Sequence, residues 1–380
     1  MNQPAAKNDQ LDAIYFLTTF GRIGQVTAEL FIALNPAIHN TSRTLVVHPA
    51  KIPPPNQDLY NILRRYYLME PRADYFELNA ASNLMLGNRE VKKLYWEDEA
   101  RCSCRFMSKV QYEGIRPVFY ALSPQEQAQG QALQKRLGIP DNEPFVSLHI
   151  REPGYIKLDH HDHRNAKIST YLPAIDYLLK EGYWVVRLGD RTMTPLPAKP
   201  RLIDLPFINP QHNLLDIWFA TRCQFMLANT SGPVMLPLVF NGPPRLMVNW
   251  IEGPTVSLNP QDRYIIKLIR AAKDANRLLT FRELMFFGNT MLRSERYQEA
   301  GLQVIDNSAQ DILDAVIEMV QEIRTGRSVQ ETSPLQAKYR AIALEWHKLK
   351  SLKGECEPAY LYGPPVSNTF LEKYPQLLND

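Results

Sequence analysis

A short apolar run, Pro144-Phe-Val-Ser-Leu-His-Ile, stops abruptly at Arg151, Glu152, Pro153 and Gly154. Arginine carries a planar fork of donors that stays charged at any physiological pH and matches two oxygens of a phosphate. Placed here, Arg151 could offset the negative charge that develops as a phosphate-linked group departs. An ion pair with Glu152 or another carboxylate is the plainer use of the same side chain. Further strand-like runs end in the same way. Residues 183–190 end at Gly189-Asp190-Arg191, residues 225–232 at Asn229-Thr230-Ser231-Gly232, and residues 245–250 near Asn249. Asp190 could accept hydrogen bonds from a sugar or ribose hydroxyl, or only close the turn with Gly189; Arg191 reads as an exposed loop residue. Ser231 can cap the apolar run 233–240, whose first N–H groups would favour an anion. Equally, Ser-Gly-Pro is an ordinary helix start.

Between the first two runs lies Asp159-His160-His161-Asp162-His163-Arg164-Asn165, the most polar stretch near these strand ends. Three histidines in four residues invite a metal reading, yet no His-x-x-x-His pair holds them in coordinating geometry. A solvated loop fits, and so does a general base drawn from His161, His163 or the nearby Glu152. Much earlier, Gly21-Arg22-Ile23-Gly24-Gln25 separates a strand-like stretch, 11–20, from a run with helical spacing, 26–34. Glycines there would let backbone N–H groups approach a ligand, or simply permit a tight turn.

Such residues need a frame, and the pattern between them supplies one. Residues 171–180 place Ala174, Ile175, Leu178 and Leu179 on one helical face, and 214–222 are similarly amphipathic. Strands alternating with helices imply right-handed crossovers and a parallel sheet, with ligands gathering outside the strands' carboxyl ends. In the first half, 44–48 reads as a second strand before the breaker Pro53-Pro54-Pro55. Residues 58–86 read as mostly helical with Gly87 as the stop, and 88–120 show no clear element. Ser123-Pro124-Gln125-Glu126 has capping-box spacing for a helix closed by Gly138 and Pro140, which sets a domain boundary near residue 140. Helices are also expected over 280–287, over 308–324 with Ser308 and Asp311 at its start, and over 335–349, before a proline-rich tail.

Composition excludes some partners. With 43 basic and 40 acidic residues among 380, the net charge of +3 argues against bulk electrostatic binding to nucleic acid. Arg64-Arg65-Tyr66-Tyr67 could touch an anionic membrane surface, or form a solvated helix face over packed tyrosines. No stretch of about 18 apolar residues occurs, and Met1 to Gln10 lack a signal-peptide core. The expected location is therefore the cytoplasm, with peripheral association at the inner membrane face left open. Cys102, Cys104, Cys223 and Cys356 lack paired Cys-x-x-Cys spacing and read as reduced thiols.

Taken together, the chain from Gly21 to Pro375 resembles a family of bacterial glycosyltransferases found with surface-polysaccharide genes, itself similar to the fucosyltransferase-like branch of the GT-B fold. The resemblance rests on Leu148-His-Ile-Arg-Glu-Pro-Gly-Tyr155, Arg164-Asn165-Ala166 with Tyr171, Trp184-Val-Val-Arg-Leu-Gly-Asp190, Thr230-Ser231-Gly232 and the tail Ser367 to Pro375. It implies an α/β chain with two Rossmann-like domains whose parallel sheets face across a cleft: an acceptor domain over 1–140, a donor domain over 141–330, and a C-terminal helix and tail, 331–380, that crosses back to the first. His149-x-Arg151 matches the His-x-Arg that contacts the donor diphosphate in that branch. Arg164, Asn165, Gly189, Asp190, Asn229, Thr230, Ser231, Gly232 and Asn249 fall on the donor side. Gly21, Arg22, Gly24 and Gln25 fall on the acceptor side or cleft, where the loop resembles Gly-x-x-Gly-Asn-Gln but lacks the asparagine.

The implied activity is transfer of a sugar, hexosyl or fucosyl, from a nucleotide-diphosphate donor to a glycan or glycolipid hydroxyl. No Asp-x-Asp motif is present to hold a divalent ion, so the expectation is a metal-independent, inverting transfer with no cofactor beyond the nucleotide sugar as co-substrate. Rival readings are a catalytically silent nucleotide- or carbohydrate-binding scaffold and a nicotinamide-dependent oxidoreductase. The latter is poorer, because no Gly-x-Gly-x-x-Gly follows any strand.

Overall fold

The structure, a computed structural model, describes residues 11–17, 19–38, 43–86, 89–96, 99–111, 113–154, 159–208, 213–251, 256–271, 277–287, 293–327, 333–352 and 364–379. Met1 to Gln10, Gly87, Tyr155 and Cys356, and the side chains of Cys102, Cys104 and His160, lie outside the described residues.

Two sheets organise the chain. The first contains β1 (Ala13–Phe16), β2 (Thr44–Pro49), β3 (Leu68–Arg72), β4 (Leu84–Leu86) and β5 (Arg89–Tyr95), in the order β3-β2-β1-β5-β4. All its pairings are parallel except β4 with β5. Helices α1 (Ile23–Ala33), α2 (Gln57–Leu63), α3 (Tyr75–Ala80) and α4 (Glu99–Gln111) connect or follow these strands. The stretch 58–86, expected to be mostly helical, instead holds β3 and β4. Proline at Pro71 argues against an inner strand, but β3 lies at the sheet's edge, where one side of the ladder needs no N–H donor.

After α5 (Pro124–Arg136) come β6 (Phe145–His149), α6 (Leu172–Lys180), β7 (Trp184–Arg187), β8 (Leu202–Asp204), α7 (Leu205–Ile208), α8 (Asn213–Arg222), β9 (Met226–Ala228), α9 (Met235–Val239), β10 (Arg245–Trp250) and β11 (Arg263–Ile266). Their six-stranded sheet is parallel throughout, in the order β11-β10-β9-β6-β7-β8. Counted in chain order from its other edge, that is third, second, first, fourth, fifth and sixth: the doubly wound Rossmann order. The first sheet begins in the same way, so the chain holds two Rossmann-like units in tandem, the GT-B-like arrangement. The capping boxes expected at Ser123 and Ser308 are both formed.

The carboxyl edges of the two sheets turn toward one another. Gly24, at the start of α1, meets Gly232, just past β9, so closely that a Cβ on Gly24 would lie 2.4 Å from the Gly232 Cα. Nearby, Asn56 Nδ2 donates to the Asn213 carbonyl (2.8 Å), and Tyr120 N to that of Val239 (2.9 Å). One continuous apolar cluster runs through both halves. Helix α5 packs on α8, where Gly130 lies against the Trp218 indole and Gln134 accepts its N–H (2.9 Å).

The remaining elements are a small antiparallel pair, β12 (Leu268–Ala271) and β13 (Leu302–Ile305), with α10 (Phe281–Phe287), α11 (Ser294–Glu299), α12 (Ala309–Thr325), α13 (Pro334–Leu352) and α14 (Asn368–Lys373). The C-terminal helix α13 packs on α10 and α14, with Tyr339 against Phe281 and Tyr264. The tail is fastened to α12: the Glu318 carboxylate accepts from Ser367 Oγ, Asn368 N and Thr369 N, at 2.6–2.8 Å.

Candidate active site

In a doubly wound sheet the crevice opens where strand order reverses, because crossovers leave that point on opposite faces. Here the reversal falls between β6 and β9, at His149 to Arg151 and Asn229 to Gly232. His149 is buried, and its Nδ1 lies 3.2 Å from the Leu188 carbonyl. A carbonyl only accepts, so Nδ1 carries the proton and Nε2 is left as an acceptor. Burial pushes the ring's pKa down to about 4, against the pull of that hydrogen bond, so the imidazole is neutral near pH 7.

Arg151 is half-buried, with Nε donating to Asn165 Oδ1 (3.0 Å) and its backbone N–H to Asn229 Oδ1 (2.8 Å). Burial and the Arg22 guanidinium both push its pKa below the usual range, with Asp162 opposing them. The alternative pairing with Glu152 is not made. Glu152 instead pairs with the fully buried Arg187 (2.5 Å) and accepts Thr194 N–H (3.2 Å), which leaves its side chain 8% exposed. Arg187 also reaches Asp204 (3.4 Å) and the Thr194 carbonyl (2.6 Å). A carboxylate held in this way, with Oε2 shared between Arg187 and Thr194, tethers the loop after Arg151.

Several expected ligand residues turn out to be braces. The Asn229 amide is buried; besides accepting from Arg151 N, it donates to the Arg164 carbonyl (3.0 Å) and so ties β6, β9 and the histidine loop together. Asn249 is also buried, at a left-handed φ of 51°, exchanging hydrogen bonds with Asn307 and donating to Tyr171 Oη (2.9 Å). Asp190 Oδ1 accepts from both Thr192 N (2.8 Å) and Thr192 Oγ1 (2.5 Å), the turn-closing alternative. Gly189, at φ 145°, lies against the Met193 sulfur, where a Cβ has no room. Thr230 Oγ1 accepts Ile251 N–H (3.1 Å). Ser231 differs from expectation. Its side chain caps nothing, because a 3-10 turn, Gly232–Val234, intervenes before α9, and its Oγ is buried without a hydrogen-bond partner.

The histidine loop forms a 3-10 segment, Asp159–Arg164. His163 is buried, with its backbone N–H 3.2 Å and its Nδ1 3.0 Å from Ser294 Oγ, and its ring tilted against Tyr297. Burial, then Arg164, His161, Lys267 and Arg151, push its pKa down to about 3. His161 is half-buried, its ring centroid 6.2 Å from that of His163. Among the described residues, no three metal-ligating side chains converge.

From the first half comes Arg22, the residue preceding α1. It makes no capping bond, and the eleven-residue helix has no acid in its first turn, so its positive end is unneutralised locally. Among the described residues, no carboxylate forms an ion pair with Arg22 or Arg151, although the Arg22 guanidinium sits close enough for its charge to depress the Arg151 pKa. Gly21 is exposed and Gln25 half-buried beside them. The structure thus brings together Arg22, Gly24, His149, Arg151, Asn165, Asn229, Ser231 and Gly232, from both sheet edges. Sequence reading missed Arg187 and Lys267. Each is a lone cation in an apolar strand-like run, Trp184-Val-Val-Arg-Leu and Ile265-Ile-Lys-Leu-Ile, a pattern that signals a buried, partnered charge.

No family model matches the chain, and no curated protein matches it at a significant level. Among solved structures, a glycosyl transferase family 9 protein from Veillonella parvula aligns with 13% identity and a TM-score of 0.40, covering 68% of this chain and 86% of its own. The ADP-heptose lipopolysaccharide heptosyltransferase II of E. coli aligns with 11% identity and a TM-score of 0.42, over 83% of this chain and 100% of its own. The iron-containing dodecameric glycosyltransferase TibC from enterotoxigenic E. coli gives 11% identity and 0.41, over 83% and 76%. These values lie below those at which function follows from likeness, so the chemistry of the crevice rests on its own residues.

Proposed function

We propose that the crevice between the sheets binds the diphosphate of a nucleotide sugar, and that the protein is a glycosyltransferase acting on a glycan or glycolipid hydroxyl. One observation carries this: at the point where strand order reverses, the Gly24–Gly232 contact brings the start of α1, with Arg22 before it, to the strand ends that carry Arg151, and among the described residues neither arginine has a carboxylate ion-pair partner. Like charges brought together in a partly buried crevice are stabilised by a dianion between them, and guanidinium forks suit phosphate oxygens. On this reading, residues up to about 140 hold the acceptor, residues 141–330 hold the donor, and Arg151 stabilises the departing diphosphate without a metal, in an inverting displacement. Neutral His149 presents Nε2 as an acceptor, suited to a hydroxyl of the donor. His161, half-buried beside His163, stays among the candidates for the acceptor-side base.

The test is a thermal-shift screen against GDP, UDP, dTDP, CMP and ADP, repeated on Arg151→Ala. A ligand at about 100 times its dissociation constant adds about 2.7 kcal/mol of stability. Stabilisation by one nucleotide, lost in the variant, is the expected result; no stabilisation by any of them would remove the donor-site reading. Incubation with the corresponding nucleotide sugar then separates an enzyme from a silent scaffold, because only turnover releases the free nucleotide: the diphosphate from a diphosphate donor, CMP from a CMP-sugar.

A further inference from the structure

Lys267, at the junction of β11 and β12, is 2% exposed, an unusual place for an ammonium. Its backbone N–H is fixed on the Trp250 carbonyl at the end of β10 (2.8 Å). From there the side chain runs beneath the histidine loop, donating to the Asn165 carbonyl (2.5 Å) and pairing with Asp306 (2.7 Å). Asp306 is itself placed by its neighbour Asn307, whose side chain donates to the Ile266 carbonyl (2.7 Å) and whose N–H bonds to Asn249 (2.6 Å). Burial pulls the lysine's pKa down against the opposing pull of Asp306, so holding an ammonium here costs the stripping of its water. A methionine would fill the same space without that cost. What the lysine does that methionine cannot is grip Asn165, and the Asn165 side chain grips Arg151 Nε (3.0 Å).

We propose that Lys267 is a positioning residue, acting through Asn165 to aim the Arg151 guanidinium at the anion in the crevice. The inference rests on the diphosphate-site reading. With Nε tied to Asn165, the two terminal nitrogens of Arg151 have no partner among the described residues and are left to bind an anion as a pair, and a shift of Asn165 would move them. The chain Asp306, Lys267, Asn165, Arg151 joins the far edge of the sheet to the switch point, and neither Lys267 nor Asp306 need touch the ligand.

Inorganic pyrophosphate is the probe, titrated calorimetrically into wild type, Arg151→Ala, Lys267→Met, Asn165→Ala and the Lys267→Met/Asn165→Ala double variant. Lys267→Met should weaken binding about tenfold, the loss of one charge-assisted hydrogen bond. The deciding readout is coupling: if the lysine acts through Asn165, the double variant binds no more weakly than Asn165→Ala alone, whereas a lysine acting by charge alone multiplies the two losses. Should Lys267→Met fail to fold, Asp306→Asn carries the test, with a smaller loss that vanishes in the Asn165→Ala background. Unchanged binding by Lys267→Met, or independent losses, would overturn the inference while Arg151→Ala still upholds the anion site. Wild type that ignores pyrophosphate, or Arg151→Ala that binds it normally, would overturn the anion site and this inference with it.

Discussion

The two sheet edges that meet in the crevice are built differently. At the edge of the second sheet almost every polar group is held by another: Asn229 by Arg151 and Arg164, Glu152 by Arg187, Asn249 by Asn307, and Asp190 by Thr192. At the edge of the first sheet the backbone is tied down, with Leu17 bonded to Val47 and Tyr75, while the Arg22 side chain is not. A preorganised wall opposite a less constrained cation is what an anion site needs if it is both to fix a ligand's geometry and to admit it. The contrast predicts where substitutions should damage stability and where they should damage binding only.

The largest effect should follow Arg187→Ala, which leaves the partly buried Glu152 and Asp204 without their cation. A loss of about 3–5 kcal/mol in chemical denaturation is expected, and a loss below 1 kcal/mol would mean the braced edge is not braced by this triad. His149 should show in the pH dependence. Its folded pKa, about 4, lies below the ordinary 6.5, so its contribution is complete above pH 6.5 and is lost as pH falls toward 4. The slope should be on the order of 1.4 kcal/mol per pH unit across that window. A His149→Gln protein should lack this component, and identical slopes would show the ring is not held neutral.

A third substitution attacks the meeting point itself. Gly24→Ala places a methyl against the Gly232 backbone, which cannot yield as a flexible side chain would. Separation of the halves should cost about 1–3 kcal/mol and weaken pyrophosphate binding in the same protein; a neutral result would mean the contact is looser than drawn. The smallest stability effect belongs to Arg22→Ala, within about 0.5 kcal/mol of wild type. Its pyrophosphate affinity should nonetheless drop about tenfold. Unchanged affinity would leave the first sheet without a part in the anion site.

Much of this frame was legible in the chain. The apolar runs ending at Arg151, Asp190, Asn229 and Asn249 mark four of the strands, and the boxes at Ser123 and Ser308 mark two helix starts, because such signals act within a few residues. Where local signals mislead, a tertiary partner is the reason. Pro71 lies in a strand because that strand is an edge, and β8 holds its three residues in place by pairing with β7. Ser231 looks like a cap, but Gly232 is drawn against Gly24 from another half of the chain, and the turn that follows is 3-10.

The amino-acid sequence by itself determined the order of elements and the polar character of the strand ends, since periodicity and turn chemistry are short-range properties. Only the tertiary structure decided which of those polar groups remain available. Asn249 is taken up by Asn307 and Tyr171, Arg151 is tied through Nε to Asn165 but has no ion pair among the described residues, and Arg22, 129 positions earlier in sequence, comes near enough for its charge to depress the Arg151 pKa. Hydrogen bonds and charge pairs across such separations leave no periodic trace, because any residue type able to make them is equally able to face water. The one trace they do leave is a charge in an apolar run, as at Arg187 and Lys267, where burial without a partner would cost more than the fold can sustain.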